Sequence, residues 1–192
     1  MLTRDHRFLG YYVLEIQGAR LDPACKKMFL LGCVEPDWNL LTYARGSLKH
    51  KLLHGHNAEN VAQHLAHLIE TLKNTGVRTP MQWFRLGAAL HYLADSFTFA
   101  HNRDFSGSLL DHRDYELNLH SQMHSWLQTQ RTELLVPNKA CHEKYLADCR
   151  SYETDCRYII GSMLGLCSIL PVEWYSESFT LESKAQGCYG KV

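Results

Sequence analysis

Apolar residues in this chain recur three and four positions apart, the period of helices that bury one face, and no stretch alternates singly as strands do. Leu9, Val13 and Ile16, joined by Tyr12, form a stripe that predicts a first helix over 5–19. Asp22-Pro23 supplies an N-cap and a helix-opening proline for a short second helix, which Gly32 is expected to end. From Cys33 to Gly55 the period lapses, and Pro36, Asp37, Trp38, Asn39, Gly46 and Gly55 predict a long irregular segment of the kind that carries function. Asn57 caps a helix whose face is Val61, Leu65, Leu68, Ile69 and Leu72, and Thr79-Pro80 opens a central helix through Phe97. A loop from His101 to Ser108 leads into a helix from Leu109 to Leu134. Pro137-Asn138 then punctuates, one long helix occupies 138–170, and 171–192 forms an irregular tail. The expected fold is all-α, a multi-helix bundle in one domain spanning 1–192.

The chemistry concentrates in the central helix and the one after it. His91-Tyr-Leu-Ala-Asp95-Ser-Phe-Thr-Phe-Ala-His101 and His112-Arg-Asp-Tyr-Glu116 set five metal-competent side chains in an otherwise apolar run. Residues four apart share a helix face, so His91 with Asp95, and His112 with Glu116, each present an imidazole and a carboxylate to one point. On a continuous helix His101 would be turned roughly 80° from the face of His91, which favours a neighbouring metal over the same one. Mixed imidazole and carboxylate donors suit zinc in a site that keeps a position open for water, whereas closed structural sites more often use thiolates.

Composition excludes several alternatives. Formal charge is zero with the signs mixed, so no basic stripe recruits nucleic acid. The longest apolar runs, such as Met28 to Leu31, are far too short to cross a membrane, and Arg4, Asp5, His6 and Arg7 break any signal-like N-terminus. Seven cysteines without a CxxC pair read as reduced thiols, with Cys149 and Cys156 seven apart on one helix face. A cytoplasmic location is the expectation that follows. His-Asp doublets and Glu-x-x-His pairs are missing, which disfavours a histidine–aspartate phosphohydrolase and a di-iron carboxylate bundle.

The segments LGAALHYLADSFTFAHN and DHRDYELNLH resemble the core signature of the bacterial zinc-dependent phospholipase C family, which shares its all-helical fold with the fungal single-strand nucleases. The resemblance is dense from Leu86 to Asn102, returns at His112 to Glu116, and is sparser in the N-terminal third. It implies a bacterial protein with up to three zinc ions in a metal core within 1–120. His91 would bind one zinc, Asp95 would bridge that zinc to a second, and His101, His112 and Glu116 would hold the third. Asp37 matches the family's loop aspartate. His56 matches the histidine that completes the first site, with His54 close enough to compete. His6 matches the first-helix histidine of the second site, which the α-amine of Met1 would complete.

That resemblance implies metal-assisted phosphodiester hydrolysis, in which a zinc-bound hydroxide attacks phosphorus and zinc stabilises the leaving oxygen. Asp37 is the candidate catalytic residue, either as a ligand or as acceptor of the attacking water's proton. The expected substrate is a phospholipid or another phosphate ester. Single-stranded nucleic acid is the alternative on the same scaffold, and a metal-binding relative without activity is the third reading. Trp38 and Leu53 stand where the phospholipases of the family place a tyrosine and a phenylalanine around choline, so choline specificity does not carry over. His50, His64, His67 and His142 are read as solvated or satisfied in the core. His120 and His124 continue the four-residue ladder past Glu116 and are read as supporting or exposed. Phe84, Tyr92, Phe97, Phe99 and Tyr115 are read as core packing.

Overall fold

The computed structural model describes residues 1–39, 58–129 and 133–175, with the side chains of Glu59 and Asn60 excepted. Its helices are α1 Thr3–Ile16, α2 Pro23–Trp38, α3 Ala58–Thr75, α4 Pro80–Ser96, α5 Leu109–Thr129, α6 Lys139–Ala147 and α7 Tyr152–Ile169, with a 3₁₀ turn at Phe99–His101. No strand occurs among the described residues, only isolated bridges at Arg20–Tyr175 and Val77–Val172. The fold is all-α, as the periodicity predicts. No helix among the described residues is long and apolar enough to cross a membrane.

The centre of the molecule is α4, which packs against α1, α2, α3 and α7 and is buried almost throughout its length from Leu86 to Ser96. Its start follows from local chemistry: the Thr79 hydroxyl accepts from the Gln82 backbone N–H while the Gln82 side chain reaches back to the Thr79 backbone, with Pro80 in the first turn. Its closest neighbour is α2, and the contact needs two glycines. A Cβ on Gly32 would stand 2.1 Å from the Phe84 carbonyl oxygen, and one on Gly87 would stand 2.2 Å from that of Phe29. Backbone therefore lies on backbone where α2 crosses α4.

Gly32 is thus a contact residue and not a terminator. The second helix runs on to Trp38 with Pro36 inside it, so the first six residues of the expected irregular segment are helical. Proline cannot donate to the Gly32 carbonyl one turn back, but tertiary packing against α4 outweighs that missing bond. Asp37 consequently sits on a helix, while 40–57, with Asn57, His50, His54 and His56, lies outside the described residues.

Other boundaries also move. Helix α1 ends at Ile16 and not Ala19, because Gly18 takes φ 60° and closes a terminal motif in which Gly18 N–H bonds Glu15 O and Ala19 N–H bonds Leu14 O. Ile16, expected in the stripe, is 54% exposed, and Leu14 is buried in its place. Helix α5 is described only to Thr129. The long helix expected over 138–170 is two helices, because Asp148 ends α6 and the Ser151 hydroxyl accepts from Thr154 N–H to cap α7. Cys149 falls in the break and is exposed while Cys156 is buried, so they share no helix face. The six described cysteines are all free thiols.

Candidate metal centre

Three helices and the N-terminal residue deliver polar groups to one buried region. Helix α4 contributes His91 and Asp95, both about 1% exposed. His6 arrives from the first turn of α1, Asp37 from the last turn of α2, and the α-amine of Met1 from just ahead of α1. Each oxygen of Asp95 faces a different group. Oδ1 lies 2.8 Å from the Met1 nitrogen and 3.2 Å from His6 Nε2. Oδ2 lies 3.3 Å from His91 Nε2, which in turn stands 3.5 Å from Asp37 Oδ1.

A second set adjoins the first. Helix α4 ends at Ser96, and the 3₁₀ turn swings His101 back over the helix end, so the continuous-helix geometry does not apply to it. His101 Nε2 is 3.1 Å from Glu116 Oε1, which is also 3.1 Å from His112 Nε2 and 3.0 Å from the Met1 nitrogen. His101 Nδ1 remains 3.7 Å from Asp95 Oδ2, which joins the two sets. Of the sequence-predicted site residues, Met1, His6, Asp37, His91, Asp95, His101, His112 and Glu116 come together. His56 lies outside the described residues.

Protonation follows from burial and neighbours. Burial, helped by the adjacent His91, lowers the pKa of His6 to about 4, so its imidazole stays neutral with a lone pair to give. The rings of His6 and His91 stack with centroids 3.7 Å apart. His91 Nδ1 lies 2.9 Å from the Cys33 carbonyl oxygen. A carbonyl only accepts, so Nδ1 carries a proton, and in the neutral ring Nε2, the atom facing Asp37 and Asp95, carries the lone pair; burial opposes charge on this ring, but Asp95 and Asp37 outweigh it and raise its pKa. Burial resists charge on Asp95, yet His101 and the Met1 amine hold it well below the usual carboxylate range. Burial likewise resists charge on Glu116, and hydrogen bonds from His101 and His112 outweigh it to lower its pKa. The Met1 amine is pushed up to about 10, because Asp95 and Glu116 overcome the effect of burial.

The donor set is one that could hold metal ions. Asp37 Oδ2, His6 Nε2 and Asp95 Oδ2 are buried without a hydrogen-bond partner among the described residues, although polar atoms of this kind are nearly always satisfied. His6, Asp37 and His91 can each aim one ligand atom at a common region, as can His101, His112 and Glu116.

One residue that organises the centre is absent from the sequence reading. Asp155 of α7 accepts from the Phe99 backbone N–H at 2.9 Å, the Tyr115 hydroxyl at 2.8 Å and the Tyr145 hydroxyl at 2.8 Å. It thereby fixes the turn that carries His101 and the residue before Glu116. Its only sequence signal is an acidic residue in the first turn of a helix, which any helix can use. Asp155→Ala strands all three donors and is expected to cost about 3 kcal/mol, measured as a shift in the urea midpoint. A shift no larger than that of an exposed substitution would remove Asp155 from this role. His142 Nε2 adds a related tie, 3.0 Å from the Ser96 carbonyl oxygen and 3.1 Å from Asn102 Oδ1.

Comparison with known proteins gives one finding. Neither the curated proteins nor the solved structures contain a match. The family model described as zinc dependent phospholipase C matches residues 5–161, a span that takes in α1 through most of α7 and the described candidate ligands from His6 to Glu116. With its helical fold and its buried imidazole and carboxylate groups, the chain belongs to the zinc-dependent phospholipase C family.

Proposed function

We propose that this protein is a zinc-dependent phosphodiester hydrolase of phospholipase C type, built on up to three zinc ions. Family membership and the metal-competent groups support a metal-dependent phosphodiesterase in general. The observation that carries the finer reading is Asp95, a buried carboxylate whose two oxygens face two different donor groups. In this reading Asp37, His56, His91 and Asp95 hold the first zinc. Asp95, His6 and the Met1 amine hold the second, and His101, His112 and Glu116 hold the third. Zinc held there supplies Lewis acidity towards a phosphoryl oxygen and a water that ionises near neutral pH.

The protein's own residues prepare that chemistry. Cys33 fixes the tautomer of His91 through its carbonyl, and burial keeps His6 neutral. The Met1 amine must shed a proton to coordinate, so zinc binding there is coupled to proton release. Asp37 is 20% exposed at its side chain, the more accessible partner of the His91–Asp37 pair. It is the residue through which the attacking water is oriented, and its carboxylate accepts that water's proton or binds zinc.

Trp38 follows Asp37 at the end of α2 and is 69% exposed. That exposed indole supports a second reading, a nuclease on the same scaffold that stacks a base on Trp38. Zinc-replete protein is expected to hydrolyse a chromogenic phosphodiester and a short-chain phospholipid, and a chelator is expected to abolish both activities. Cleavage of single-stranded DNA with no lipid turnover would transfer the assignment to the nuclease reading. Zinc retention with no hydrolysis of any of the three would reject catalysis.

A further inference from the structure

A separate cluster lies between α1 and α5. Asp5 and His6 are consecutive on α1, so their side chains diverge by roughly 100°. His6 enters the region of Asp95, and Asp5 faces α5. There it meets His120 and His124, one turn apart and one and two turns beyond Glu116. Asp5 is 2% exposed, and its Oδ1 lies 2.5 Å from His120 Nδ1. Its other oxygen, Oδ2, is buried with no hydrogen-bond partner among the described residues. Burying a carboxylate oxygen without a donor is costly, and an ion would remove that cost.

The three residues can each present one ligand atom with all of them within 4.8 Å of one another. Packing holds the imidazoles in place: the ring of His124 lies 4.2 Å from that of Phe8 and 4.7 Å from that of His120. The His120 side chain is 28% exposed, so water can reach the open side of the group. Two imidazoles and one carboxylate with room for water form a donor set that zinc accepts.

We infer that Asp5, His120 and His124 bind a further zinc ion, distinct from the ions proposed around Asp95, that clamps α1 to α5. Helix α1 carries His6 and follows Met1, while α5 carries His112 and Glu116. An ion at this point therefore fixes two of the elements that deliver the centre, without contacting substrate. The inference stands independently of the hydrolytic reading.

The test compares untagged wild-type protein with the His120→Gln/His124→Gln variant after equilibrium dialysis against buffered zinc, with metal content read by elemental analysis. The same pair is prepared in an Asp95→Asn background. The variant is expected to hold about one ion fewer per chain in both backgrounds, with a smaller zinc-induced rise in Tm. Equal zinc contents in the two proteins would overturn the inference. Loss of all zinc in the Asp95→Asn background with His120 and His124 intact would overturn it too. An ion that survives Asp95→Asn and disappears with His120 and His124 would support this site even if the centre around Asp95 proved to hold no metal. Should the double variant fail to fold, nitrogen NMR of the wild-type imidazoles during zinc titration decides the matter. A coordination shift at His124 supports the site, and an unchanged His124 overturns it.

Discussion

Replacing Asp95 with asparagine is expected to remove two zinc ions together and to lower phosphodiester hydrolysis by at least about 10³-fold. The expectation follows from how the carboxylate is shared. One oxygen faces Met1 and His6 and the other faces His91, so a single residue serves two donor groups. An amide keeps the shape, carries no charge and turns an N–H₂ toward one of the two groups. It therefore cannot offer acceptors to both. His112→Ala is the matched comparison, because His112 belongs to one donor group alone, beside His101 and Glu116, and is 31% exposed at its side chain. It should release the ion of the His101, His112 and Glu116 group and leave the others. Equal losses of a single ion in the two variants would end the bridging role of Asp95.

Gly87→Ala is expected to destabilise the protein by about 3 kcal/mol or more, although alanine is normally the better helix former by roughly 0.5–1 kcal/mol. The sign reverses because the new methyl has nowhere to go. It would stand 2.2 Å from the Phe29 carbonyl oxygen and 2.8 Å from the Cys33 nitrogen, and both are helix backbone that cannot swing aside. Separating α2 from α4 would also move Asp37 away from His91 and Asp95, so metal affinity should fall with stability. For a chain of this length the loss corresponds to a Tm lowered by roughly 10 °C. Gly18→Ala provides the contrast. Its φ of 60° penalises a side chain, but the nearest atom to an added Cβ is the Tyr175 hydroxyl at 3.6 Å, so only a backbone cost of about 1 kcal/mol is expected. Calorimetry that found Gly87→Ala as mild as Gly18→Ala would show that the two helices do not meet as closely as described.

Much of the centre was legible because its residues are close in sequence. His91 with Asp95 and His112 with Glu116 are separated by one helical turn, a spacing that geometry reads directly. His6, Asp37 and Met1 came from family resemblance alone, since no local pattern ties residues on α1 and α2 to α4. The elements were legible where caps and stripes were strong, as at Thr79-Pro80 and along Val61, Leu65, Leu68 and Leu72. They failed where tertiary contact overrode local preference. Gly32 looked like a helix end because glycine usually is one outside a close helix crossing, and Pro36 looked like a breaker because nothing in the sequence shows α4 behind it. Asp5 with His120, and Phe99, Tyr115 and Tyr145 with Asp155, were invisible for a third reason. Each joins residues of separate elements, from ten to 115 positions apart, through a polar contact, and a lone carboxylate near a helix start looks the same whether it caps, solvates or organises a site.

The proposed function turns on the bridging of two zinc ions by Asp95. Its most direct test is anomalous diffraction at the zinc absorption edge from crystals of untagged, zinc-replete protein. Separate anomalous peaks are expected on the two sides of Asp95, one within about 2.0–2.2 Å of Oδ1 and the other at the same distance from Oδ2. One should include His6 and the Met1 amine in its coordination shell, and the other His91 and Asp37. A single peak bound by Asp95 through one oxygen, or no peak at Asp95 in protein that carries zinc elsewhere, would contradict it.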